Sequence, residues 1–230
     1  MLEDVKAVGR SRLMAGALGL LTAYLVLALS AVQQQLVPLD RSVRAWMQPF
    51  RSGWLDLSMQ TVSLLGEPAG LIPLILVASA ALWRASRRWA LLLPALMAGT
   101  GVLQLVGKWA ADRPRPNAAP WGFPSGHVLS LAVFFGIVAF LLVTLSAPRR
   151  RWRITACFAC GLTLGLVAAS RIYLDAHWLS DVIGGFTLGT AYLLIALWAV
   201  QARSTRGAAR PAGEPLEPIA TTDNGAVAAG

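Results

Sequence analysis

The stretch Ser170-Arg171-Ile172-Tyr173-Leu174-Asp175-Ala176-His177-Trp178-Leu179-Ser180-Asp181 lies between two long apolar runs, so its ionisable side chains sit at a membrane edge rather than in bulk water. Polar groups at such depth are functional candidates by default. His177 and Asp181 are four residues apart. With a helix from Trp178 onward the two side chains share one face, and the carboxylate accepts a proton from the imidazole. That bond fixes the tautomer and leaves the other ring nitrogen free to attack an electrophile. Arg171 adds a planar fork of donors suited to a phosphate or carboxylate. A helical His with an Asp one turn on is often only a satisfied polar pair. Against that reading, the chain has only two histidines, His127 and His177, and both stand in short polar islands between apolar segments.

The 230 residues are 56% hydrophobic and 13% charged, too apolar for an ordinary soluble domain, and the apolar runs approach the roughly 20 residues that span a bilayer. The chain therefore reads as an all-α, multi-pass membrane protein. Its net charge of +9 does not point to nucleic acid, because the basic residues cluster between apolar runs instead of forming one stripe. Cys157 and Cys160 lie three apart inside an apolar segment, where they read as small packing residues.

Residues 1–12 form a basic leader, followed by a first span from Leu13 to Leu36. The stretch Asp40 to Leu57 mixes Arg41, Arg44, Arg51 and Asp56 with Trp46, Phe50 and Trp54, a pattern suited to a helix lying in the interface plane. Gly66-Glu67-Pro68 breaks the next apolar run, and the second span is drawn from Ala69 to Trp83, extended by part of Thr61 to Leu65. Glu67 reads as a solvated interface carboxylate. Further spans are expected from Trp89 to Gly107, His127 to Leu145, Ile154 to Ala169 and Asp181 to Val200. This gives a six-span bundle over residues 13–200, with residues 201–230 a disordered tail poor in groups to bury.

That alternation brings three islands to one membrane face. Lys108 to Pro116 supplies a point cation and the Arg113 and Arg115 forks on a loop stiffened by Pro114 and Pro116. Pro124-Ser125-Gly126-His127 opens a helix, where the Ser hydroxyl and the free amides of the first turn form an anion cradle. Ser170 to Asp181 is the third. In order, these residues resemble the three motifs of the type 2 phosphatidic acid phosphatase superfamily: Lys, six residues, Arg-Pro; Pro-Ser-Gly-His; and Ser-Arg, five residues, His, three residues, Asp. Here they are Lys108 to Arg115-Pro116, Pro124 to His127, and Ser170-Arg171 to His177 and Asp181, with no departure at a motif position.

The resemblance implies a metal-independent membrane phosphatase with no cofactor, acting on a lipid phosphate. In that scheme His177, oriented by Asp181, is the nucleophile, and His127 the acid and base. Lys108, Arg115, Ser125, Gly126 and Arg171 hold the phosphoryl oxygens. A metal site at His127, His177 and Asp181 is disfavoured by the adjacent cations. A transporter would carry its charges mid-span, whereas these gather at one edge. A phosphotransferase on the same scaffold stays open, and six apolar spans argue against the soluble, vanadate-binding haloperoxidase branch. The resemblance admits prenyl diphosphates such as undecaprenyl pyrophosphate, phosphatidic acid and phosphatidylglycerophosphate. The cations Arg113 and Arg115, with Lys108 and Arg171, exceed what one phosphoryl group needs, which tilts the reading modestly to a diphosphate, with Arg113 facing solvent as the equal alternative.

Thirteen of the twenty basic residues fall in the terminal segments and in the turns at 84–88 and 149–153, and seven on the other side. The positive-inside rule then puts both termini in the cytoplasm and the polar islands outside. Cysteines introduced at Asn117 or Ala119 are expected to react with an impermeant thiol reagent in intact cells; labelling only after permeabilisation would reverse the orientation.

Overall fold

A computed structural model describes residues 9–144 and 150–208 of the chain. Their regular structure is entirely helical: α1 (Arg10–Val32), α2 (Pro38–Met47), α3 (Gly53–Ser63), α4 (Pro68–Trp83), α5 (Arg87–Ala111), α6 (Gly126–Thr144), α7 (Arg150–Tyr173) and α8 (Leu179–Ala208). Five of them, α1, α5, α6, α7 and α8, are long and apolar enough to cross a membrane. The sixth crossing is a broken one. The segments Gly53–Gly66 and Pro68–Trp83 meet at a 48° bend, where Pro68 opens α4 and has no amide with which to continue the preceding turn.

The interfacial segment differs from the single helix expected over 40–57. It splits at Gln48–Phe50, a 3₁₀ turn containing Pro49, so that α2 stands alone and α3 belongs to the bent crossing. At the other end of the chain α8 runs on to Ala208, beyond the expected limit at Val200, and the remaining tail lies outside the described residues, as do most of the leader and the turn at 145–149.

Helices α6 and α8 form the centre of the bundle: 56% of the spanning part of α6 and 50% of that of α8 are buried, against 11% for α1 and for α7. Leu93, Met97, Val133, Ile137, Leu193 and Leu197 make the core between α5, α6 and α8. The exposed apolar surface of the outer helices is what lipid tails solvate at no cost.

Two glycines let α8 approach α6 closely. A Cβ at Gly185 would lie 2.4 Å from the Ser125 carbonyl oxygen, and one at Gly189 would lie 2.6 Å from the Leu129 carbonyl oxygen. Small residues one turn apart allow this backbone-to-backbone packing, which is the usual driving arrangement in membranes. Exposed tryptophans mark both ends of the bundle. Trp46, Trp54, Trp109 and Trp121 lie at the end where α5 finishes and α6 begins; Trp83 and Trp152 lie at the opposite end.

Gly185→Ala is expected to destabilise the bundle by about 1–3 kcal/mol, because the obstructing atom is backbone and cannot swing away. Gly161→Ala, where a new methyl meets nothing within 4 Å, is expected to be neutral or slightly stabilising. Thermal unfolding in detergent compares the two.

Candidate active site

The first turn of α8 is built by the side chain of Asp181. Trp178 caps the helix, its carbonyl accepting from the amides of Asp181 and Val182. Asp181, three residues on, reaches back so that its Oδ2 accepts from the Trp178 amide at 2.9 Å, one half of a capping box. The same oxygen lies 3.6 Å from His177 Nδ1. His177 therefore precedes the helix rather than sharing its face with Asp181, as had been expected from the four-residue spacing. The two meet because the cap turns the chain back over the carboxylate.

The backbone of the His177 turn is pinned from both sides. The amides of Ala176 and His177 both donate to the Arg171 carbonyl at 3.0 Å. Asp175, at φ 53°, accepts from Arg44 Nε at 2.7 Å and from Gln48 Nε2, which ties the turn to α2. Tyr173 donates its hydroxyl proton to Asp56 at 2.7 Å, tying it to α3. None of these partners was singled out from the sequence as a support for His177.

The other islands converge on the same place. The Ser125 amide donates to the Asp181 carbonyl at 2.9 Å, so α6 and α8 begin side by side. Ser125 is the cap of α6, its carbonyl accepting from the Leu129 amide. Gly126 is buried, and a Cβ there would collide with the Gln104 side chain. The loop 112–125 folds back through hydrogen bonds from the Arg115 amide to Ala119 and from the Gly122 amide to Arg113. Arg171, in the last turn of α7, donates to Ser63 Oγ of α3. The charges of Arg171, His177, Lys108 and Arg115 all bear on His127, which places the five side chains around one space. Glu67 joins them: its Oε1 lies 3.9 Å from His127 Nε2, although the side chain remains 42% exposed.

Several polar atoms of this cluster are buried with no hydrogen-bond partner among the described residues. They are Ser125 Oγ, His127 Nε2, Arg115 Nε and Arg171 Nε, together with His177 Nδ1, which stands 3.6 Å from Asp181 Oδ2. A buried donor left unpaired costs about 1–3 kcal/mol, and a tetrahedral oxyanion ligand would satisfy most of these donors at once. Among the described residues no group of three or more His, Cys, Asp or Glu stands close enough to hold a metal ion. From the site a groove of about 640 Å³ runs between α4 and α5. Lys108 and His127 lie at its polar end, and Leu71, Ile72, Ile75 and Met97 are among its walls.

Arg113 corrects the sequence reading. It does not add to the charge of this space. Its guanidinium is 2% exposed and turned the other way, donating to Asp181 Oδ1 at 2.7 Å, Ser180 Oγ at 2.7 Å, Asp40 Oδ2 at 3.1 Å and the Gln35 carbonyl at 3.0 Å.

A family model described as the PAP2 superfamily matches residues 89–205, a span containing all three islands. The chain belongs to the PAP2 superfamily. It is 31% identical over 173 residues to phosphatidylglycerophosphatase B of Bacillus subtilis (strain 168), a match covering 72% of this chain and 85% of that one. A shorter match of 34% over 90 residues, 39% of this chain and 37% of the other, links it to an undecaprenyl-diphosphatase of Sulfolobus acidocaldarius. Among solved structures, the crystal structure of the transmembrane PAP2 type phosphatidylglycerolphosphate phosphatase from Bacillus subtilis superposes with a TM-score of 0.71 at 27% identity. That match covers 82% of this chain and 96% of the other. The protein is thus a multi-pass membrane phosphatase of the PAP2 lipid phosphatase family.

In this cluster, burial pushes the His177 imidazole below its ordinary pKa; Asp181 opposes the shift, while Arg171 and Arg115 reinforce it. Ring-nitrogen NMR of ligand-free protein is expected to place the His177 midpoint below about 6.5. The unfolded chain then takes up a proton that the folded one does not. Stability is expected to be full above that value and to fall as pH drops through it, and His177→Asn is expected to weaken that dependence.

Proposed function

We propose that the protein hydrolyses the terminal phosphate of a membrane lipid through a phosphohistidine on His177. His177 Nε2 attacks phosphorus as the bond to the lipid oxygen breaks, and His127 delivers the proton to that oxygen. Asp181, beside Nδ1, stabilises the positive ring that forms. In the second step His127 takes a proton from water, whose oxygen displaces His177 from phosphorus and releases inorganic phosphate. Lys108, Arg115 and Arg171, with Ser125 Oγ and the Gly126 amide, stabilise the charge on the equatorial oxygens.

The observation that carries this reading is the set of unpartnered polar atoms of Ser125, His127, Arg115 and Arg171 beside His177, at the mouth of an apolar groove. The groove accepts a lipid tail while the phosphate enters the basic space, and each buried methylene contributes about 0.8 kcal/mol of binding that a soluble ester forgoes. With Arg113 engaged elsewhere, the surplus charge that favoured a diphosphate is gone. A phosphomonoester of the phosphatidylglycerophosphate or phosphatidic acid kind is therefore placed ahead of undecaprenyl pyrophosphate, consistent with the name of the relative that covers most of both chains. The basic-residue distribution supports cytoplasmic termini and a site on the outer face, with membrane lipids as the surroundings and no nucleic acid partner.

The test is catalytic efficiency on phosphatidylglycerophosphate, phosphatidic acid, undecaprenyl pyrophosphate and a soluble aryl phosphate in one detergent. Lipid monophosphates are expected to exceed the soluble ester by about a hundredfold or more. A preference for the soluble ester overturns the lipid assignment. His177→Ala is expected to abolish trapping of a phosphoenzyme and to lower kcat by about ten-thousand-fold. Transfer of the phosphate to an added alcohol in place of water would make the protein a phosphotransferase.

A further inference from the structure

Behind the nucleophile, on the side away from the groove, lies a second polar cluster that none of the three motifs contains as a whole. Asp40 of α2 is 1% exposed, Arg113 is 2% exposed and Ser180 is 3% exposed. Asp40 accepts four hydrogen bonds. The Val37 amide donates to it at 3.1 Å, Arg113 at 3.1 Å, and Ser180 twice, from its amide and its hydroxyl, both at 2.7 Å. Asp40 and Asp181 hold equivalent places: each is the third residue of its helix, reaching back to the capping amide, where the positive end of the helix favours a carboxylate. Arg113 stands between them. One arm of its fork reaches Asp181 and the other Asp40.

A buried guanidinium paired with Asp181 alone would cancel the charge that Asp181 has to offer His177. The pair formed by Asp40 and Arg113 is neutral, so the cluster of one cation and two carboxylates keeps one negative charge, on the side of Asp181 that faces the imidazole. We propose that Asp40, acting through Arg113, is a positioning residue for His177: it neutralises and aims the guanidinium that fixes the Asp181 carboxylate. The inference rests on the reading of His177 as nucleophile. The charged groups facing His177 are Asp181 of α8, Arg171 of α7, Arg115 of the 112–125 loop and His127 of α6. Lys108 and Glu67 stand one step away, against His127 and Arg171.

The test compares Asp40→Asn, Arg113→Lys, the charge-balanced pair Asp40→Asn with Arg113→Gln, and Asp181→Asn. Turnover is measured on phosphatidic acid in detergent, and the titration of His177 in ligand-free protein, where only two histidines contribute signals. Asp40→Asn keeps the shape and removes the charge; kcat is expected to fall about tenfold with KM within about twofold, and the His177 midpoint to move to lower pH. The double variant restores the balance and is expected to bring the midpoint back towards that of the wild type, which a merely structural role would not do. An unmoved midpoint in Asp40→Asn overturns the inference. Where Asp40→Asn does not fold, Arg113→Lys decides: it keeps the charge but loses the two-armed fork, and an unchanged kcat overturns the inference. If Asp181→Asn also turns over normally, it is the nucleophile assignment that fails, whereas an impaired Asp181→Asn beside a normal Asp40→Asn sinks this proposal alone.

Discussion

The hydrogen bond from the Ser125 amide to the Asp181 carbonyl joins the beginnings of the two central helices, and the site hangs from it. The two helix starts come within reach because Gly185 and Gly189 let α8 lie against the α6 backbone without side chains between them. Through this contact, the cradle that opens α6 and the cap that opens α8 become one surface. Arg115 and Lys108 reach that surface from a loop and a helix end, and Arg171 from the helix before the turn. Were α6 and α8 held apart by even one methyl group, the cradle and the cap would no longer form one surface.

Burial shapes what the assembled groups can do. His177 and Asp181 are 2% and 0% exposed, and several polar atoms around them are buried without a hydrogen-bond partner among the described residues. In such surroundings electrostatic effects act with little screening. The dry setting and two arginine neighbours of the His177 imidazole lower its basicity, and the Asp181 carboxylate opposes them. In the proposed mechanism that carboxylate also offsets the charge of the positive ring that forms. Desolvation and pairing thus pull His177 in opposite directions.

Most of this site was legible in the residues because it is written locally. Lys108 and Arg115 sit seven apart across one helix end and the loop after it, Ser125 to His127 form a helix start, and Arg171, His177 and Asp181 lie within eleven residues of one another. The spans followed from apolar runs, with errors confined to ends and to the interfacial segment that Pro49 divides. What sequence spacing did not reveal is the far partner. Asp40 is 73 residues from Arg113 and 140 from Ser180, and Arg113, beside the motif residue Arg115, looks like one more cation for the phosphate. Only the fold shows that the loop turns it through to the other side. An acidic residue third in an otherwise basic interfacial helix was the one available signal, and by itself it reads as a helix cap.

The tryptophans at the two ends of the bundle carry a different consequence. Indole rings settle at the level of lipid head groups, so Trp46, Trp54, Trp109 and Trp121 fix how far the protein sinks on the side where its chemistry lies. On the proposed reading of His177 as nucleophile, the reacting histidine would thereby be set at a constant depth, like a blade mounted on a gauge. A lipid would then be selected partly by how high above its tail its phosphate rides, and two substrates with quite different head groups would become equivalent when their scissile bonds travel at the same height.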